Sequence, residues 1–297
     1  MCVRSLPVTH SYRCLPMAGL LAFHAHPDDE TTSTGGTLAH YAEAGEQVVV
    51  VTATDGAVGE VHNYENPEEL KPRLAAIRSE EMARAAAVLG VTNHEFLGYR
   101  DSGMMGTDDN GHPDAFWRAD FMEATGRLVH LIRRFQPEVV VAYDPFGGYG
   151  HPDHIQVNRI GTAAFFGADD VGRFPPAGGE GLWTPSKLYW VTFPRSRTLA
   201  IRRALFEAGE ITEEEFHRRP AVGIPDEDIT AWIDVRGFVD RKFEAWAAHR
   251  TQIPEDWWLF RVPEEARPEV FGRESFMRIA NRVDSPDRED DLFAGLR

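Results

Sequence analysis

Two short runs of the chain constrain its architecture most. QVVVVTAT at residues 47–54 and EVVVAY at residues 138–143 are apolar and β-branched, with no polar alternation. A strand with one face in water alternates with a period of two, so an unbroken Val run fits a strand buried on both faces. GLLAFH at residues 19–24 and residues 187–193 read as further strands, and residues 94–97 as a short one. Helical spacing of apolar residues appears at 37–44 (ended by Gly45), 72–89 (ended by Gly90), 115–135 and 152–166. Strand and helix in alternation predict an α/β fold, Rossmann-like, with a mostly parallel sheet and helices on both faces.

The rest of the chain is organised around that core. Residues 55–72, 98–113 and 168–185 are rich in Gly, Pro, Asp and Asn and read as loops. Beyond about residue 195 the pattern predicts an α+β elaboration: a charged helix at 199–216, an edge strand at 229–235, a helix at 237–249, and an acidic end from Asp284 that wraps the surface. There is no internal repeat. We expect residues 17–297 to form a single domain, with a core to about 195 and an elaboration over 196–297. Residues 1–16 are expected to be a disordered extension. They carry both cysteines, Cys2 and Cys14, and lack a continuous apolar run of signal-peptide type.

Composition narrows the function classes. The 297 residues carry 31 Lys+Arg against 47 Asp+Glu, a net charge of −16. With no local basic patch, such a chain repels a polyanion, so we expect no nucleic-acid partner. A hydrophobic content of 42% is enough for a packed core and argues against disorder. No run of about 18 apolar residues exists, so no membrane partner is expected, and the expected compartment is the cytoplasm.

The chemistry gathers in two clusters. His24-Ala25-His26-Pro27-Asp28-Asp29-Glu30 follows the first strand directly. Tyr149-Gly150-His151-Pro152-Asp153-His154 follows the strand at 138–143 and opens a helix, with Pro152 suited to its first turn. Both fall at carboxyl ends of strands, where open α/β sheets place their sites. A single His-Pro-Asp turn is ordinary turn chemistry; two, each after a buried strand, argue for a metal centre of two histidines and one carboxylate with an open position. Consecutive carboxylates in a loop point different ways. Asp29 can hold a metal while Asp28 faces the attacking water as general base. His151, with Tyr149, is placed to stabilise an oxyanion. His24 reads as a packed residue rather than a ligand. Asp153 is either a third ligand or a residue that orients a histidine or caps the helix. There is no G-x-G-x-x-G after the first strand, no P-loop, no G-x-S-x-G and no H-E-x-x-H.

With AHPDDE at residues 25–30 and HPDH at residues 151–154, the chain resembles the PIG-L-type zinc-dependent de-N-acetylases. The resemblance implies a Rossmann-like fold and zinc held by His26, Asp29 and His154, with Fe2+ or another divalent ion as alternatives. It also implies Asp28 as general base and His151 as stabiliser of the tetrahedral intermediate. YRDSGM at residues 99–104 and YDPFGGYGHPDH at residues 143–154 narrow it to the mycothiol-pathway deacetylases. That group implies sugar contacts from Arg78 and Asp101 and a mobile Tyr149. On residue pattern alone, Arg78 is a solvated ion-pair residue on a charged helix, and Asp101 a loop cap. Other stretches are similar to the mycothiol S-conjugate amidases: IRSEEM at 77–82, RFP at 173–175 and DLFAG at 291–295. The amidases typically carry Tyr-Pro-His where this chain has Tyr149-Gly150-His151.

The expected activity is therefore hydrolysis of an N-acetyl amide on a small-molecule amino sugar, N-acetylglucosaminyl-inositol first. A conjugate amidase or another N-acetylglucosamine-derivative deacetylase is the alternative. Two readings from other classes compete: a non-haem iron oxygenase, which shares the two-histidine, one-carboxylate set, and a non-catalytic sugar- or nucleotide-binding module.

Overall fold

The computed structural model describes residues 19–297 except 178, 219 and 221. The expected extension over residues 1–16, with both cysteines, lies outside the described residues. In chain order the elements are β1 (Gly19–His24), α1 (Asp29–Glu43), β2 (Gln47–Thr54), α2 (Pro67–Leu70), α3 (Leu74–Leu89), β3 (Asn93–Tyr99), α4 (Phe121–Phe135), β4 (Val139–Tyr143), α5 (Pro152–Gly167) and β5 (Lys187–Thr192). There follow α6 (Arg195–Glu207), α7 (Glu213–His217), β6 (Ala231–Asp234), α8 (Val239–Ala248), α9 (Arg267–Phe271) and β7 (Arg273–Asn281).

Seven strands form one sheet in the order β3-β2-β1-β4-β5-β7-β6. The first five are parallel; β7 runs antiparallel to β5 and β6 antiparallel to β7. The Val runs are buried throughout: Val48–Val51 and Val139–Val141 are sealed from solvent. Each such side chain contributes roughly 1.5–3 kcal/mol of burial. Helices α1, α3 and α8 pack on one another, and α4 packs on α5, which itself lies against β1, β4 and β5. Right-handed crossovers place these two groups on opposite faces. The sheet reverses its winding between β1 and β4, and their carboxyl ends flank the crevice where open α/β sheets take ligands.

Several elements differ from expectation. Helix α1 starts at Asp29, eight residues before the helix read at 37–44. Its first half, ETTSTGG, has weak helix propensity but is largely buried, so tertiary packing decides. The N–H groups of Gly36 and Thr37 bond Glu274, and Lys242 Nζ bonds the carbonyl of Thr32. The helix read at 115–135 is a short turn at 116–118 followed by α4, whose cap is Asp120 accepting from the Glu123 N–H. The helix read at 199–216 divides at Gly209 (φ 74°) into α6 and α7, the second opened by a Thr212–Glu215 capping box. Strand β7 was not expected at all.

The acidic end runs over the surface, with Asp284, Asp287 and Asp290 exposed, but it is anchored in the core. Leu292 and Phe293 are fully buried in the main core. Glu289 bonds Lys187 Nζ at 2.6 Å and the Tyr189 hydroxyl beneath the sheet. Charged residues that find buried partners look like surface in a sequence scan.

Candidate functional site

The first cluster is built by the turn that links β1 to α1. Asp28 has φ 122° and ψ −25°, a conformation rare for any residue but glycine. Such backbone costs about 1–3 kcal/mol and persists only where its surroundings fix it. Its consequence is that the two neighbouring carboxylates diverge. Asp28 Oδ2 lies 3.2 Å from Nη2 of Arg78. Asp29 Oδ2 lies 3.3 Å from His26 Nδ1 and 3.3 Å from His154 Nε2.

The second cluster sits on the loop from β4 to α5. Asp144 Oδ1 accepts the N–H groups of Phe146 and Gly148, which curls the chain back. Gly147 (φ 64°) then runs so close to α5 that a Cβ there would stand 2.4 Å from His154 Cβ. That approach lets the Gly147 carbonyl bond His154 Nδ1 at 3.1 Å, and Tyr143 stacks on the ring at 4.7 Å. His154 is thus held from behind with Nε2 forward. His151 caps α5 by accepting the Asp153 N–H on Nδ1, which places its proton on Nε2. Burial, then the neighbouring His26, pushes its pKa down to about 4, so it is a neutral donor at neutral pH.

Asp153 is fully buried and lies behind His26. Its Oδ2 is 3.2 Å from His26 Nε2, and its carboxylate also takes the N–H and hydroxyl of Ser102. That contact is the kind by which a carboxylate orients a histidine. Asp101 Oδ1 stands 3.5 Å from the same nitrogen and accepts the Gly103 N–H. His24 is buried and bonded to the Tyr143 hydroxyl at 2.8 Å and to Thr34 Oγ1.

Among the described residues, two groups of side chains could hold a cation: His26, Asp29 and His154; and His26, Asp101, His151 and Asp153. In the second, Asp153 and Asp101 are committed to backbone N–H groups and His151 Nδ1 to the α5 cap. In the first, the outer nitrogens of both histidines are fixed by Asp153 and Gly147, leaving His26 Nδ1 and His154 Nε2 turned toward Asp29. Burial disfavours an imidazolium at His26, yet Asp101, Asp153 and Asp29 draw its pKa well above the usual histidine value. A buried pocket that holds a proton so firmly is one made for positive charge. The residues fit a divalent ion.

A cavity of about 410 Å³ opens over this cluster, with Asp28, Arg78, Asp101, Tyr149, His151 and Gln252 among its walls. Tyr149 is more than half exposed, with its hydroxyl 3.3 Å from His154 Nε2. Arg78 is not the solvated ion-pair residue its helix suggests. It is buried and also bonds the carbonyls of Pro27 and Gly56. Burial pushes the Asp28 carboxyl up to about 6, against the opposing charge of Arg78. Ser102, Glu30 and His249 have no role in the reading of the sequence. Glu30 Oε1 bonds His249 Nε2 at 2.8 Å, and Glu30 Oε2 takes the Asp28 N–H at 2.9 Å. Glu30 lies inside the first motif and was visible; His249, 219 residues away, was not.

The family model for the GlcNAc-PI de-N-acetylases (PIG-L) matches residues 21–165. A 1D-myo-inositol 2-acetamido-2-deoxy-alpha-D-glucopyranoside deacetylase of Acidothermus cellulolyticus is 42% identical over 290 residues, covering 93% of this chain and 94% of that protein. The N,N'-diacetylchitobiose deacetylase of Pyrococcus horikoshii shares the fold at a TM-score of 0.61 and 22% identity, over 88% of this chain and 84% of that one. So does the 4-carboxy-2-hydroxymuconate hydratase of Pseudomonas putida, at 0.58 and 22%, over 91% and 99%. A hydratase on this scaffold shows that the fold alone does not choose the reaction. The open α/β sheet is also unlike the all-β barrels expected of the iron oxygenases. Sequence identity, rather than fold likeness, settles membership: the chain belongs to the PIG-L family of de-N-acetylases.

Proposed function

We propose that this chain hydrolyses the acetamide of N-acetylglucosaminyl-inositol, as the name of its Acidothermus relative describes, with zinc held by His26, Asp29 and His154. The observation that carries the reading is the divergence of Asp28 from Asp29, which separates a base from a ligand within one turn. A zinc ion bound there supplies Lewis-acid polarisation of the amide carbonyl.

The remaining steps belong to the chain. Asp28 takes a proton from the attacking water, and a pKa near 6 suits a base that must return that proton near neutral pH. The new C–O bond forms as the carbonyl oxygen gains charge. His151 presents its Nε2 proton to that oxygen, and the Tyr149 hydroxyl supplies a second donor. The C–N bond then breaks, and Asp28 gives its proton to the leaving nitrogen. Arg78 keeps the Asp28 carboxylate aimed, and Arg78 and Asp101 line the cavity where the sugar hydroxyls lie.

The test is a product screen. N-acetylglucosaminyl-inositol, N-acetylglucosamine and a mycothiol conjugate are each incubated with the protein, with and without chelator, and acetate and free amine are measured. Equimolar acetate and amine from the first substrate, abolished by chelator, is the expected result. No acetate from any of them would overturn the reading.

A further inference from the structure

The strained turn that separates Asp28 from Asp29 is held by the C-terminal part of the chain, where α8 packs on α1. Two hydrogen-bond chains reach it from α8 and its C-cap. In the first, His249 Nε2 bonds Glu30 Oε1 at 2.8 Å, and Glu30 Oε2 accepts the Asp28 N–H at 2.9 Å. In the second, Trp246 Nε1 donates to Thr32 Oγ1 at 3.1 Å, and Thr32 returns its hydroxyl and its N–H to the Asp28 carbonyl. Both peptide groups that flank the Asp28 Cα are therefore held: the first by Glu30 on its N–H and by Arg78 on the Pro27 carbonyl, the second by Thr32 on the Asp28 carbonyl.

Glu30, Trp246 and His249 are all sealed from solvent. Among the described residues His249 Nδ1 is buried without a hydrogen-bond partner, and the ring's hydrogen bond goes to Glu30. Packing alone would be met at lower cost by an apolar side chain, because a buried orphan nitrogen is unfavourable. What the imidazole adds is a donor aimed at Glu30. A carboxylate fixed at one oxygen has its other oxygen fixed too, and that second oxygen is the one that receives the Asp28 N–H. Trp246 and His249 lie beyond the stretch that the family model matches, in the C-terminal part of the chain.

We propose that Glu30, His249 and Trp246 are positioning residues for the reaction: they hold the Asp28 backbone at positive φ so that its carboxylate faces the cavity and not the metal ligands. The proposal rests on the role given to Asp28 above. The C-terminal elaboration thereby enters the reaction without touching substrate.

The test uses the full-length, metal-loaded protein and the variants His249→Leu, His249→Gln and Trp246→Phe. For each, kcat and KM for acetate release, bound metal and a crystal structure are determined. His249→Leu is expected to lower kcat about a hundredfold, the usual cost of a group displaced by about 1 Å, with KM and metal content unchanged. His249→Gln, which keeps an N–H donor toward Glu30, is expected to recover most of that loss. Trp246→Phe removes one donor from the second chain and is expected to lower kcat about tenfold, intermediate between parent and His249→Leu. The crystal structure of His249→Leu should show Asp28 out of the positive-φ region. If His249→Leu does not fold, Trp246→Phe still decides, by its kcat and by the φ of Asp28. Asp28 unmoved and kcat within twofold of the parent in the variants that fold would overturn the proposal, as would a fall in kcat matched by lost metal. Should the parent release no acetate, the functional reading fails, while the φ of Asp28 still reports on positioning.

Discussion

Asp153 Oδ2 lies 3.2 Å from Nε2 of His26, while His26 Nδ1 faces Asp29 across the same ring. One imidazole therefore lies between Asp29 on one side and Asp153 with Asp101 on the other, and Asp153, anchored by Ser102, bonds Nε2 and leaves Nδ1 toward Asp29. Asp153→Asn removes the rear charge but preserves size. We expect metal affinity to fall about 10- to 100-fold, measured by competition with a chromogenic chelator. Unchanged affinity would place Asp153 outside the metal centre.

Tyr149 offers a cleaner separation of chemistry from stability. Its ring is largely exposed and its hydroxyl approaches the site. Tyr149→Phe is expected to lower kcat about a hundredfold, as for loss of one oxyanion donor, and to leave stability within about 0.5 kcal/mol. Steady-state kinetics and urea unfolding on the same preparation check both halves.

The C-terminal end makes the opposite prediction. Phe293 is fully buried and meets Tyr41 edge-on at 4.9 Å. Phe293→Ala is expected to cost about 3–5 kcal/mol by urea unfolding. A tail that merely lay on the surface would lose less than about 0.5 kcal/mol.

Stability should fall in acid through Glu274. Burial pushes its carboxyl up, but Lys242 and the Thr37 amide hold it below the usual value of 4.5. The folded form thus binds a proton less readily than the unfolded form, which binds more protons as pH drops. Its contribution is complete above about pH 4.5 and is lost as pH falls through the folded pKa. Urea unfolding of the parent and Glu274→Gln from pH 7 to pH 3 should show the two converge as pH falls. A constant gap would show that Glu274 is not the group responsible.

The sequence made some of these features legible and hid others for physical reasons. The Val runs of β2 and β4 declare burial on both faces, and from them the parallel sheet and the placing of both clusters follow. His26, Asp28, Asp29, His151, Asp153 and His154 lie within two turns of chain, so short spacing was enough to gather them. The α1 start was hidden because ETTSTGG is a poor helix former on propensity, rescued by packing and by Glu274. Strand β7 was hidden because RESFMRIAN mixes charge with apolar residues, its polar side chains finding buried partners such as Lys242 and Thr192. Arg78 looked solvated because its neighbours Glu80 and Glu81 are charged, and only the tertiary fold turns it toward Asp28. His249 had no local motif, since its partner is in another part of the chain.

The central claim is the division of labour between adjacent aspartates, and one paired measurement tests it most directly. Asp28→Asn and Asp29→Asn are purified alongside the parent, and bound metal per chain and acetate release are measured on each. The account expects Asp28→Asn to keep one metal ion per chain and lose turnover by about 10²- to 10⁴-fold, and Asp29→Asn to lose both metal and turnover. A metal-free Asp28→Asn, or one that still turns over at the parent rate, would contradict it.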